Sequence, residues 1–274
     1  MSSCSTPIAG VSLVIGNPNA PNVKFSVRIH QAGYSYQSLR EIWVAADRLG
    51  FHSATLYDLL NAPALECWTT LSALASETSR IRLTPLVLAN TYRPPALLAK
   101  MAATLDVISQ GRLELGIGTG GGASDHLASG YAYPSMKTRV EMLEESMDII
   151  KGLWRGGKIT YTGKHYSVLD AVTDPTPVQK PHPPVLVGGH GERYVMRAVA
   201  RYADICNIGF EMDHGDYGTK LAKLNEHCRL VGRDPSEIEV SHNTRVFIAQ
   251  DSDGVEELVC QQAAKAGTTP KAFR

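Results

Sequence analysis

Short β-branched runs alternate with longer amphipathic segments along almost the whole chain, and this order constrains the fold more than any other feature. Strand-like runs stand at 23–29 (VKFSVRI), 52–57, 81–88 (IRLTPLVL), 112–118 (RLELGIG), 185–187, 204–208 and 238–249. Helical patterns fill the intervals at 38–49, 64–78, 95–108, 137–154, 192–202, 217–231 and 255–266. In the first of these, Leu39, Ile42, Trp43, Ala46 and Leu49 recur at helical spacing and Gly50 closes the segment. Pro94 and Pro95 open the third, where a helix does not need the missing N–H, and Ser109-Gln110-Gly111 ends it. Strict β-α alternation implies parallel strands covered by helices. An open doubly wound sheet and a (β/α)8 barrel both satisfy it. Seven units without a break in composition favour a single barrel.

Residues 1–22 form an N-terminal extension and 23–274 the barrel domain. The KITY and HYSV segments, separated by Thr162-Gly163-Lys164, predict a β-hairpin. With the Pro-rich run behind it, this hairpin makes an insertion at 156–184, too small to be a domain. The barrel is expected to be incomplete at its C-terminus, because the eighth β/α unit is missing after the last helix. One spare apolar run, GVSLVIG at 10–16, joins the first strand through a linker shorter than the roughly dozen residues a parallel crossover needs. It can form only an antiparallel hairpin there. An open or irregular patch is therefore expected between strands one and seven.

Composition narrows the function. The 274 residues carry 27 Lys plus Arg against 27 Asp plus Glu, so no bulk field attracts nucleic acid or an anionic membrane. No apolar run approaches the roughly 20 residues of a membrane span. The N-terminus lacks the basic and apolar regions of a signal peptide. Five scattered cysteines without a CxxC pair read as reduced sulfur, and a cytoplasmic location is expected. No HxH or HExxH pairing offers a metal site, and no GxSxG elbow offers a serine nucleophile. Trp43, Trp68 and Trp154 fall on apolar helix faces and read as packing.

Two glycine clusters carry the chemistry. Residues 116–122 (GIGTGGG) formally match GxGxxG, but three β-α units precede them. The acidic residues about 20 positions on, Glu141 and Glu144, fall on a helix, against the dinucleotide-binding pattern. The cluster is instead a flexible turn at the C-terminal end of a barrel strand, where backbone can approach a flat ligand, or a plain structural turn. Gly188-Gly189-His190-Gly191 follows the fifth strand and precedes a helix, so its N–H groups suit a phosphate. His30, Asp58 and Asn90 stand at the same face, after strands one, two and three. Asp58 can bond a ligand, position a base, or cap its own loop.

With the strand ends named, the chain resembles the luciferase-like superfamily of flavin and deazaflavin oxidoreductases, within it the coenzyme F420-dependent group. The resemblance rests on LREIWVAADRLGFHSATLYD, on PHPPVLVGGHGERYVMRAVARYADICNIG, on NEHCRLVGRDPSEI and above all on TYRPPALLAKMAATLDVISQGRLELGIGTG. It implies a (β/α)8 barrel with the cofactor, F420 or alternatively FMN, at the C-terminal mouth. The ring would rest on Pro85, Leu86 and Val87, with a non-proline cis peptide at Pro85–Leu86. Asn90, Gly118, Thr119 and Gly120 would contact ring and ribityl chain, and Gly188, Gly189, His190 and Gly191 the phosphate.

The catalytic candidates are Asp58 and His30. Sugar-phosphate dehydrogenases of the superfamily have Asp-His after strand two and a Glu after the glycines of strand four. Here those positions read Asp58-Leu59 and Gly120-Gly121. Both the base and the acid of that subgroup are therefore missing, and what the resemblance implies is hydride transfer to or from a small organic substrate. An FMN-dependent monooxygenase and a non-catalytic cofactor-binding paralogue are the alternatives. The expected partners are a small-molecule substrate and a second copy of the chain, with no nucleic acid and no membrane.

Overall fold

The computed structural model describes residues 23–189, 191–192, 194–210, 214–244 and 246–273. The barrel strands run in chain order as β1 (Ser26–Arg28), β2 (Ser53–Leu56), β3 (Arg82–Pro85) with its continuation β4 (Leu88–Ala89), and β5 (Leu115–Gly118). The hairpin of β6 (Ile159–Thr162) and β7 (Ser167–Ala171) follows, and then β8 (Val185–Gly188), β9 (Ile205–Phe210) and β10 (Glu239–Asn243). All barrel pairings are parallel, in the orders β1-β2-β3 and β4-β5-β8-β9-β10. The two runs join where Leu83 N donates to Arg112 O at 2.9 Å and Glu114 N to Leu83 O at 3.0 Å. One continuous parallel wall results, in the (β/α)8 architecture.

The helices are α1 (Tyr36–Leu49), α2 (Cys67–Glu77), α3 (Pro95–Ile108), α4 (Ala123–Ala128), α5 (Met136–Trp154), α6 (Val195–Tyr202), α7 (His214–Val231), α8 (Ser252–Lys265) and α9 (Pro270–Phe273). Their ends follow local chemistry. The Ser35 hydroxyl accepts from Ser38 N at α1, and Gly50 closes that helix at φ 80°. The helices bury one apolar face against the strands. Leu39, Trp43, Leu83, Leu88, Ile117, Leu143 and Val187 are all fully buried in one cluster running from Ile29 to Ile238. Trp154 is buried too, and its indole N–H donates to Ala99 O at 3.0 Å.

Sequence and structure differ at the first and last barrel strands. The run 23–29 forms a ladder only over Ser26–Arg28, and 238–249 only over Glu239–Asn243. Among the described residues each of these strands pairs on one side only. Val23 and Phe25 stay 60% and 69% exposed, so the apolar run lacks the second neighbour that would extend it. A Lys24–Glu239 ion pair at 2.5 Å crosses between the two strands. The apolar run 10–16 lies outside the described residues.

The cis peptide also moves. It is Leu86–Val87, not Pro85–Leu86. Pro85 still stands opposite Leu56 in the β2–β3 ladder, and Leu86 N still donates to Leu56 O at 2.8 Å. Regular pairing thus continues one residue further than expected, and the bulge follows it. Helix α6 begins at Val195 rather than 192, and the short α4, which has no apolar periodicity, is not among the helical patterns of the sequence.

Candidate functional site

At the C-terminal ends of the strands lies a cavity of about 580 Å³. Its floor is Val87, thrust up by the bulge between β3 and β4. An added Cβ on Gly118 would lie 2.8 Å from Val87 Cγ2, and one on Gly188 2.8 Å from Val87 Cγ1. Only glycine at both strand ends lets Val87 sit between them. Gly120, at φ +96°, turns the chain away from the barrel, and its Cβ would meet His126 Nε2 at 2.9 Å. Gly121 has open space around it. Across the cavity, Gly189, Gly191, Glu192, Tyr194 and Val195 lead into α6. The Gly189 N–H donates to Asn207 O at 3.3 Å, so it is shared with the β9 edge rather than reserved for an anion. Lys220 Nζ lies 2.5 Å from Glu192 and offsets its charge.

Asp58 also lines the cavity, but its carboxylate is engaged. Oδ2 accepts from Arg93 Nη1 at 2.7 Å and from Ala89 N at 2.9 Å, and Oδ1 from Arg93 Nη2 at 2.9 Å. Arg93 reaches Glu66 Oε1 at 3.1 Å as well. Glu66 in turn caps α2 by accepting from Trp68 N and Thr69 N. Burial opposes the charge on Arg93, yet Asp58 and Glu66 outweigh it and raise the guanidinium pKa above its ordinary value. Burial likewise opposes the Glu66 carboxylate, but the Thr69 and Trp68 N–H groups and Arg93 hold it below its usual range. Gln31, fully buried, clamps Tyr57 from below: its amide donates to Tyr57 O at 2.6 Å and accepts from Tyr57 N at 3.0 Å.

An aromatic cage adjoins the glycine turn after β5. His126 is fully buried, with Nε2 2.7 Å from Thr91 Oγ1 and Nδ1 2.9 Å from Gly122 O. A carbonyl can only accept, so Nδ1 donates to Gly122 O. The rings of Tyr92 and Tyr133 lie 4.7 and 4.9 Å from the imidazole. Burial, with Asp125 and Asp58 nearby, pushes the Tyr92 phenol up, so it stays neutral.

Of the sequence-derived candidates, Asp58, Val87, Gly118, Thr119, Gly120, Gly188, Gly189 and Gly191 line this one cavity. Pro85, Leu86 and Asn90 stand behind it. Pro85 and Leu86 complete the β3 pairing, and Asn90 is buried. His30 is exposed outside the lining, its ring 5.1 Å from that of Tyr57. His190 lies outside the described residues. Sequence reasoning missed Tyr57, Leu59, Tyr92, Asp125, Met136, Glu192 and Tyr194, which also line the cavity. The YAYP run at 131–134, after the glycines, was the available signal for the cage. No group of three or more metal-ligating side chains occurs among the described residues. No helix among them is long and apolar enough to cross a membrane.

Comparison with known proteins gives the family and the fold. A family model described as luciferase-like monooxygenase matches residues 22–273. The F420-dependent glucose-6-phosphate dehydrogenase of Microbacterium testaceum is 30% identical over 241 residues, covering 84% of this chain and 70% of that protein. The like-named protein of Amycolatopsis mediterranei is matched over only 51% of its length. Among solved structures, the coenzyme F420-dependent tetrahydromethanopterin reductase of Methanopyrus kandleri superposes with a TM-score of 0.77 at 21% identity, covering 90% of this chain and 76% of that one. A riboflavin lyase with a modified FMN superposes at 0.79 and 15% identity, covering 89% and 66%.

Proposed function

The chain belongs to the luciferase-like monooxygenase family, and from that premise we propose that it is an oxidoreductase moving hydride between deazaflavin coenzyme F420 and a small organic substrate. The observation that carries this reading is the floor: Val87 seated between Gly118 and Gly188, under a cavity walled by the two glycine turns. A flat three-ring heterocycle would lie on this apolar Val87 side chain, with open space left beside it at Gly121. Relatives 30% identical to this chain are named for dependence on F420, which favours the deazaflavin over FMN.

The fit follows from the residues present. Gly118, Thr119 and Gly120 would flank the ring, and the turn at Gly191 would face the phosphate ahead of α6. When bound, the deazaflavin supplies the hydride acceptor or donor. The chain's own residues do the rest. Val87 and Leu88 present an apolar support that excludes water from one ring face, and Tyr57, Tyr92 and Met136 narrow the approach. Leu59 and Gly121 line the cavity where sugar-phosphate dehydrogenases of the superfamily would carry His and Glu. The substrate is therefore a small alcohol or carbonyl compound rather than glucose 6-phosphate. A steady-state assay of the visible F420 band against neutral alcohols, their carbonyl partners and glucose 6-phosphate tests this. Turnover with a neutral compound supports it, and turnover with the sugar phosphate alone overturns the substrate class. Oxygen consumption with reduced FMN, but no turnover of F420, would put the monooxygenase in its place.

A further inference from the structure

We propose that Asp58 is a positioning residue, not the proton acceptor of the reaction, and that with Arg93 it sets the level of the cofactor floor. The inference rests on the reading of the cavity as a deazaflavin site. The Asp58 side chain is 1% exposed, and each carboxylate oxygen is held by a charged guanidinium N–H. A proton acceptor needs a lone pair turned toward substrate. Here Oδ2 already receives two donors, Arg93 and the Ala89 N–H.

What the carboxylate does hold is specific. Ala89 lies in β4, two residues after Val87, so the bond to its N–H fixes the segment that returns from the bulge. Arg93 stands just before Pro94 and the start of α3, and it carries the same tie to Glu66 at the N-terminus of α2. One ion pair thus joins the end of β2, the floor strand and two helix starts. The arrangement makes the height of Val87 against Gly118 and Gly188 depend on Asp58.

The test compares Asp58→Asn, Asp58→Glu, Arg93→Gln and the Asp58→Asn/Arg93→Gln pair in the full chain. Two readouts are used, amide hydrogen exchange over residues 86–92 without cofactor and equilibrium titration with F420. Asp58→Asn and Arg93→Gln should each speed exchange in this segment tenfold or more, while α1 and α5 keep wild-type protection. Each should also weaken F420 binding by tenfold or more. The double variant should be no weaker than the worse single, as for two members of one unit. Asp58→Glu, which keeps the charge but not the reach, should weaken binding without altering the pH profile of turnover. Wild-type exchange and affinity in Asp58→Asn, with hydride transfer alone abolished, would overturn the proposal. Should the wild-type chain bind no deazaflavin, the reading of the cavity falls, and the exchange arm still decides whether this ion pair fixes the floor.

Discussion

Val87 occupies the space that a side chain on Gly188 would need, with an ideal Cβ there only 2.8 Å from Val87 Cγ1. The glycines at the ends of β5 and β8 therefore serve the protein's own floor before they serve any ligand. Gly188→Ala forces either the alanine methyl or the valine to move. Overpacking of this kind typically costs about 1–3 kcal/mol. Urea denaturation should show that loss, and Val87→Ala in the same chain should recover most of it. Equal losses in both backgrounds would mean the glycine is needed for another reason.

Gly121 and Gly189 separate ligand space from backbone need. Gly121 has nothing within 4 Å of its would-be Cβ, so Gly121→Leu should change stability by less than about 0.5 kcal/mol. The same side chain fills the cavity wall. F420 affinity should drop tenfold or more, about 1.4 kcal/mol. Gly189, at φ +138° and with Val195 Cγ1 3.0 Å from its would-be Cβ, behaves differently. Gly189→Ala should destabilise the fold by about 1–3 kcal/mol whether or not a ligand is present. Thermal melts with and without F420 distinguish the two.

Glu114, at the opposite end of the barrel, is one of the carboxylates that contribute to acid sensitivity. Its carboxylate takes His52 Nε2 at 3.1 Å, Arg82 Nε at 2.7 Å and Thr84 Oγ1 at 2.7 Å. Burial pushes its pKa up, but the His52 and Thr84 hydrogen bonds and the Arg82 charge outweigh it, leaving it below the ordinary 4.5. A depressed carboxylate contributes stability that is fully present above the unfolded value and is lost as pH falls through the folded one. Glu114→Gln should cost about 1–3 kcal/mol at neutral pH, where Arg82 loses its partner. The stability of this variant should then fall less steeply than wild type below about pH 4.5. Parallel acid titrations of the two would contradict the assignment.

Much of the architecture was legible because local chemistry decided it. The bounds of α3, Pro95–Ile108, follow directly from the proline pair before it and Ser109-Gln110-Gly111 after it. The two glycine turns announced the cavity. The cis bond slipped by one residue because its place depends on the pairing of Leu86 with Leu56, a contact between strands that no local pattern encodes. The Asp58–Arg93 ion pair was not legible because Arg93 lies 35 residues on, and nothing in either segment marks the pair. His126 stayed hidden for the same reason, since Thr91, its hydrogen-bond partner, belongs to the loop ahead of α3. The outer strands were read too long because β-branched composition cannot tell a strand with two neighbours from one with a single neighbour.

Equilibrium titration of the purified chain with oxidised F420, with FMN as the competing ligand, bears most directly on the central claim. A saturable change in the deazaflavin spectrum at one site per chain is expected, lost or weakened tenfold in Gly121→Leu, with FMN failing to displace it at equal concentration. Tight binding of FMN with no response to F420, or a response to F420 that Gly121→Leu leaves unchanged, would contradict the claim.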